Sequence, residues 1–232
     1  MKQLPDPAIY EEELRNTPWG EMIREVILRS DRRAPFCGDL VDLMCGPGYL
    51  LHTLHEQRPD LNLKGVDNDP RFVDFAKART DGVEFVSKDV LKWRATHKYD
   101  VVTCTGSLHH LAYDQQEPFI RKIADILKPD GVAIIGDPYI SDYQNELERR
   151  LGAAELGDAF TTSAIRMGAS DEVIRAAIDV MYNDIFGHEY KTSVRKNREM
   201  FGRHLTILDE KFTWKPESDK EYGDCYFVLG KK

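Results

Sequence analysis

The sequence predicts a doubly wound α/β fold, with a mostly parallel seven-stranded sheet and a helical insertion before the last two strands. Three observations carry that expectation. From residue 38 to 136 short apolar runs alternate with amphipathic stretches, the pattern of parallel strands joined by right-handed helical crossovers. An Ala-rich stretch of helical periodicity follows, from Ser141 to about Phe186. Two further strand-like runs, 205–214 and 225–229, lie near the end of the chain.

The elements follow in order. Residues 38–44 read as a buried strand ended by Cys45-Gly46-Pro47-Gly48. A helix over 49–58 has Leu50, Leu51 and Leu54 at helical spacing and is closed by Pro59. Residues 61–67 form the second strand. Asp69-Pro70 then opens a helix running to about Arg79, proline being a common first helical residue. Residues 83–86 are a third strand, and the β-branched run 99–105 a central fourth. Apolar spacing predicts a helix over 119–127, after which Lys128-Pro129-Asp130-Gly131 turns into a fifth strand at 132–135. Residues 191–203 read as another helix, and the two late strands as a hairpin on the sheet's edge. The chain divides into an N-terminal helical cover (1–37, with the apolar stripe Met22, Ile23, Val26, Ile27 and Leu28), an α/β core (38–140), a helical insertion (141–190) and a closing helix with two strands (191–232).

Composition narrows the class. The 232 residues carry 32 Lys+Arg against 40 Asp+Glu, a formal charge of −8, so the chain lacks the basic field that a nucleic acid or membrane surface attracts. The N-terminus turns acidic at Glu11, Glu12 and Glu13, without the basic start and apolar run of a signal peptide. No run approaches the roughly 18 apolar residues of a membrane span. Cys37, Cys45, Cys104 and Cys225 are far apart and form no C-x-x-C pair, which argues against a disulfide framework or structural zinc. The expectation is a reduced, cytoplasmic protein.

The chemistry is expected at the carboxyl ends of the strands, where open α/β sheets bind ligands. The glycines of Cys45-Gly46-Pro47-Gly48 let a ligand approach the backbone, and the helix that follows offers unpaired N–H groups. Asp67 ends the next strand about twenty residues on, the position from which a carboxylate reaches a ribose diol. Its alternative is to cap the following helix, a task for which Asp69 is also placed. Two features argue against a dinucleotide. Leu51 stands where the third small residue of G-x-G-x-x-G would be, and Asp42 would repel phosphates but attract an ammonium group. Asp89, after the third strand, is a short acid suited to the exocyclic amine of adenine.

Taken in order, Val41-Asp42-Leu43-Met44-Cys45-Gly46-Pro47-Gly48, Gly65-Val66-Asp67, Lys88-Asp89-Val90, Tyr99-Asp100-Val101-Val102 and Leu127-Lys128-Pro129-Asp130-Gly131 resemble the successive motifs of the class I S-adenosylmethionine-dependent methyltransferases, which have a Rossmann-like fold. The resemblance covers about residues 38–136. It implies that Gly46 and Gly48 line the methionine part of S-adenosylmethionine, that Asp67 and its neighbour Asn68 serve the ribose, that Asp89 and Val90 hold the adenine, and that Thr105 lies beside the donor. Cys45 stands where the family commonly has Gly or Ala, and Asp130 is a common variant of glycine in its turn.

Leu108-His109-His110-Leu111 resembles the variant found in members that act on small molecules, and the Asn-Pro-Pro-Tyr type of sequence is absent. Either imidazole can accept a proton near neutral pH, or both pack and cap the helix that follows. His110 and His109 are therefore the candidate catalytic residues, with Asp137, Tyr139 and Trp19 the candidates for acceptor binding. No metal is expected, since no convergent His/Asp/Glu set stands at ligand spacing. The expected activity is transfer of a methyl group from S-adenosylmethionine to an O, N or C atom of a small metabolite, in a pocket formed by the insertion, leaving S-adenosylhomocysteine. A tRNA or protein acceptor, or non-catalytic binding of the cofactor, is the alternative. The expected partners are a small molecule and no nucleic acid or membrane, with a homodimer possible. The basic run Lys191, Arg195, Lys196, Arg198 and Arg203 is either a solvated face or a site for an anionic group on the acceptor.

Overall fold

A computed structural model describes residues 7–187 and 189–232. Two helices, α1 (Pro7–Asn16) and α2 (Trp19–Arg33), precede the alternating core of β1 (Asp39–Leu43), α3 (Tyr49–Gln57), β2 (Asn62–Asp67), α4 (Pro70–Arg79), β3 (Glu84–Ser87), β4 (Tyr99–Thr105), α5 (Tyr113–Ile126) and β5 (Leu127–Tyr139). The insertion is a pair of helices, α6 (Glu146–Arg166) and α7 (Asp171–Phe186). Helix α8 (Val194–His204) leads into the hairpin of β6 (Leu205–Trp214) and β7 (Gly223–Lys231). The seven strands lie in the order β3-β2-β1-β4-β5-β7-β6; β1 to β5 are parallel, and β7 runs antiparallel between β5 and β6.

Each face of the sheet buries its own core. On one face Met22, Ile23 and Val26 of α2, Leu50, Leu51 and Leu54 of α3, and Val73 and Ala76 of α4 cover Leu40, Val101 and Ile134. On the other, Phe119, Ile120 and Ile123 of α5 and Phe201 of α8 cover Val41, Val102, Ile135 and Phe227. Strands buried on both faces account for the continuous apolar runs in the sequence. Between β1 and β4 the connections leave in opposite directions, which opens the carboxyl edge of the sheet at that point.

Four expectations are corrected. Helix α5 begins at Tyr113, ahead of Pro118, because the buried Gln116 amide donates to the carbonyls of Leu111 and Tyr190 and anchors the first turns. The Lys128–Gly131 turn lies inside β5 as an irregularity, where the register against β4 shifts between Tyr99 and Val101. Lys128 holds it there through Asp39 (2.8 Å) and Asp100 (2.7 Å). Strand β5 also continues to Tyr139, since β7 pairs with it as far as Tyr139↔Gly223. Leu28, included in the buried stripe, is exposed at the surface of α2.

Gly65 of β2 lets three side chains close over the strand: a Cβ there would lie 2.6 Å from Phe85, 2.8 Å from the Cys45 sulfur and 2.9 Å from Leu51. Gly65→Ala should cost about 1–3 kcal/mol through overpacking. Chemical denaturation would show it as a lower midpoint at unchanged slope.

Candidate active site

The chain leaves β1 in a tight elbow. Met44 and Cys45 both donate their amides to the Val66 carbonyl (2.7 and 3.2 Å), folding the loop back over β2. Gly46 (φ 54°) and Gly48 (φ 78°) adopt the left-handed conformation that other residues resist. A Cβ on Gly48 would meet Ala76 and Phe85 at 2.9 Å, whereas the corresponding position on Gly46 has no atom within 4 Å. The elbow is therefore packed from behind and open in front. No side chain caps α3, so its first amides are left to a ligand.

Asp67 ties this elbow to the next one. Its Oδ2 accepts from the Gly46 amide (2.8 Å) and its Oδ1 from the Asp69 amide (2.9 Å). Burial pushes the carboxyl up, and these amide donors pull it back. Asp69 caps α4 by accepting from Arg71, so Asp67 is not needed there. One strand away Asp42 is buried, accepts from the Thr103 hydroxyl (2.7 Å) and is pushed up to about 7 by burial. Asp42, Cys45 and Thr105 share a crevice with Tyr10, Ile23 and Tyr49. Burial pushes the Cys45 thiol up, so it stays protonated. Tyr10 meets Trp19 edge-on (6.5 Å), and the Trp19 ring lies against Gly106. The Thr105 hydroxyl is buried with no hydrogen-bond partner among the described residues.

The remaining predicted cofactor residues stand apart. Asn68 is exposed, and Asp89 is half-buried with its carboxylate accepting from the Leu91 amide (2.9 Å). Val90 is buried in the core beneath.

Past β4 a single 3-10 turn, Leu108–His110, carries the histidine pair. His109 is buried; its amide donates to Asp137 Oδ2 (3.1 Å), and its Nδ1 lies 2.8 Å from Asp137 Oδ1. The side chain of His110 is 38% exposed, with its Nδ1 2.6 Å from Glu189 Oε2. The two rings lie 4.2 Å apart. Burial pushes Asp137 up to about 8, against the pull of the Lys191 charge and of the His109 and Ser107 amides. Tyr139 is corrected to a core residue: it is buried against Phe227, ring edge to ring face at 5.9 Å, and does not line the crevice.

Glu189 and Asp224 at this edge carry no legible signal in the sequence, and Lys191 reads there only as part of the basic run. Glu189 reaches His110 from beyond the insertion. Lys191 is buried and bonded to both oxygens of Asp184 (2.8 Å each). Asp224, opposite Pro138 at the start of β7, is buried, and its Oδ2 has no partner among the described residues. The expected lack of a metal-ligand set is also corrected, since His109, His110 and Glu189 offer ligand atoms within 4.8 Å of one another. The basic run is internally matched: Arg195 pairs with Asp142 and Glu199, Arg198 with Glu210 and Glu221, Arg203 with Glu117, and Lys196 lies over the Tyr143 ring.

Residues 40–131, which carry the elbow, Asp67 and the histidine pair, match the family model described as a methyltransferase domain. That stretch is a methyltransferase domain, in line with the resemblance of its motifs to the class I S-adenosylmethionine-dependent methyltransferases. The cofactor of that family is S-adenosylmethionine. Among known proteins, the chain is similar to a trans-aconitate 2-methyltransferase of Acidovorax ebreus (strain TPSY), with 30% identity over 135 residues, 57% of this chain and 49% of that one. The chain thus spans about half the length of that relative, or less for others of the same name. Its fold matches the plantazolicin methyltransferase BpumL, solved with a desmethylPZN analog and SAH (TM-score 0.65, 13% identity, 98% of this chain and 92% of that one). It also matches a TehB-like methyltransferase from Corynebacterium glutamicum (TM-score 0.54, 19% identity, 91% and 88%).

Burial and the nearby Asp137 push Asp224 from an ordinary 3.8 to about 7. The folded chain therefore holds a proton that the unfolded chain releases, and stability falls as pH rises between those values. Asp224→Asn removes that penalty, so its melting temperature should exceed the parent's by more near pH 8 than near pH 5. Equal gains in thermal melts at the two pH values would refute the assignment.

Proposed function

We propose that this methyltransferase moves the methyl group of S-adenosylmethionine to an O, N or C atom of a small metabolite. One observation carries the reading. The crevice lined by Asp42, Cys45 and Tyr49 around the glycine elbow, which Asp67 ties down through the Gly46 amide, reaches Thr105 at the end of β4, and the His109–Asp137 pair stands past the end of that strand. The orphaned Thr105 hydroxyl, which lines the crevice, supports it, since a ligand there can supply the partner that the protein does not.

In this reading Asp42 receives the ammonium of the cofactor's methionine part, and Gly46 and Gly48 admit it to the backbone. The carboxylate of Asp67 still has lone pairs for the ribose diol. Asn68 and Asp89 serve the rim on the ribose and adenine side, with Val90 packing behind. The cofactor supplies a methyl on a cationic sulfur. The bond from acceptor to methyl forms as the sulfur–methyl bond breaks, leaving neutral S-adenosylhomocysteine. His109 takes the proton the acceptor loses once Asp137, pushed up to about 8, is ionised: Nδ1 then keeps its proton against Asp137 and Nε2 is the accepting nitrogen. His110 stands on the solvent side of the pair, and Trp19 closes the pocket from α2.

Charge narrows the acceptor. Asp137 and Asp224 face this edge, while the one buried lysine there is neutralised by Asp184. Such an edge suits an uncharged or cationic acceptor and disfavours a polycarboxylate such as trans-aconitate.

Asp67→Ala should weaken S-adenosylmethionine binding by about ten- to hundredfold, the loss of charge-assisted hydrogen bonds; calorimetry giving unchanged affinity would remove the ribose assignment. His109→Ala should lower kcat by about a hundredfold or more while leaving cofactor affinity intact. Retained turnover in the folded variant would end the proton-acceptor role. The acceptor itself is sought by incubation with a metabolite extract, where mass spectrometry should find one compound heavier by CH2 together with S-adenosylhomocysteine. Cofactor binding without either product would favour the non-catalytic alternative.

A further inference from the structure

We propose that His109, His110 and Glu189 form a binding site for one divalent transition-metal cation of the zinc type. The donor set is two imidazoles and one carboxylate, whose ligand atoms lie within 4.8 Å of one another. Zinc-type cations take nitrogen and oxygen ligands at about 2.0–2.2 Å, which sets ligand atoms roughly 3.3 Å apart in a tetrahedral arrangement. The His110–Glu189 contact of 2.6 Å would open by less than 1 Å, with the cation in place of the shared proton.

A second observation points the same way. His109 does not stand alone: Asp137 holds its Nδ1 at 2.8 Å and its amide at 3.1 Å. A carboxylate behind a histidine in this manner fixes the ring and raises the basicity of its other nitrogen, the usual support of a metal-bound imidazole. Accessibility also fits, because Glu189 is buried while His110 is open to solvent on one side, leaving a path for the ion and room for a further ligand. Nitrogen-rich donors favour zinc, cobalt or nickel over magnesium or calcium.

The site lies on the edge assigned above to the acceptor, but it does not depend on methyl transfer. A bound cation would occupy the lone pair that His109 otherwise offers to a proton, so the His109 turnover test is run with a chelator present. The deciding experiment is calorimetric titration of the chelator-stripped full chain with zinc, repeated with cobalt while visible absorption is followed, and with neither cofactor nor acceptor added. One equivalent should bind with a Kd in the micromolar range or tighter, unaffected by excess magnesium, and cobalt should give the absorption bands of a low-coordinate nitrogen/oxygen site. Glu189→Gln and His110→Ala should each weaken binding at least about tenfold, and Asp137→Asn by about ten- to hundredfold without supplying a ligand. Circular dichroism checks that each variant is folded. The proposal is overturned if no saturable binding is found below about millimolar zinc, or if the folded Glu189→Gln and His110→Ala proteins bind as the parent does. Either failure leaves the methyltransferase reading standing, and failure to find an acceptor leaves this site standing.

Discussion

The arrangement at this edge follows from the divergence of the chain between β1 and β4. These neighbours are held in register by the Asp42–Thr103 hydrogen bond, yet their outgoing connections run to opposite faces of the sheet. Nothing in the sheet itself can fill the space between departing loops. The elbow after β1 can therefore stand open in front while Ala76 and Phe85 pack it from behind. Asp67 makes the opening rigid, because one carboxylate bridges the amides of two successive loops. A cofactor that meets this crevice finds amides and a carboxylate already oriented, with little ordering left to do.

The same edge concentrates charge where water is scarce. Asp42, Asp137 and Asp224 are buried and pushed toward neutrality, and the cations that could offset them are occupied. Lys191 is bound to Asp184, and Arg149 to Glu146 and to backbone carbonyls of α7. Burying so many carboxyls lowers stability as pH rises, a cost that a purely structural core would avoid. It also gives the pocket a definite electrical character, which the matched surface charges of α8 do not alter.

The insertion and the late strands supply what the shared core lacks. The family model matches residues 40–131, whereas the likeness of fold to BpumL takes in 98% of the chain. Glu189, Lys191 and Asp224 lie outside that stretch, as does Asp137, yet they gather around the histidine pair it contributes. In the proposed reading a common donor site then stands beside an individual acceptor site, since cofactor geometry is shared by the family and acceptor chemistry is not.

The sequence alone determined the alternation of elements, the glycine elbow, Asp67 and the histidine pair, because each is a local signal. Hydrophobic period sets the strand or helix, left-handed backbone selects glycine, and a strand end selects the acid. It missed the start of α5, where the buried amide of Gln116 outweighs the punctuation of Pro118, and it put Tyr139 at the pocket although the strand pleat turns that ring into the core. Tertiary structure alone decided which partner each histidine has. Asp137 is 28 residues from His109 and Glu189 is 79 from His110, and no periodicity spans such distances. The parallel pairing of β4 with β5 brings Asp137 to His109, and only the return of the chain after α7 to the sheet edge brings Glu189 to His110.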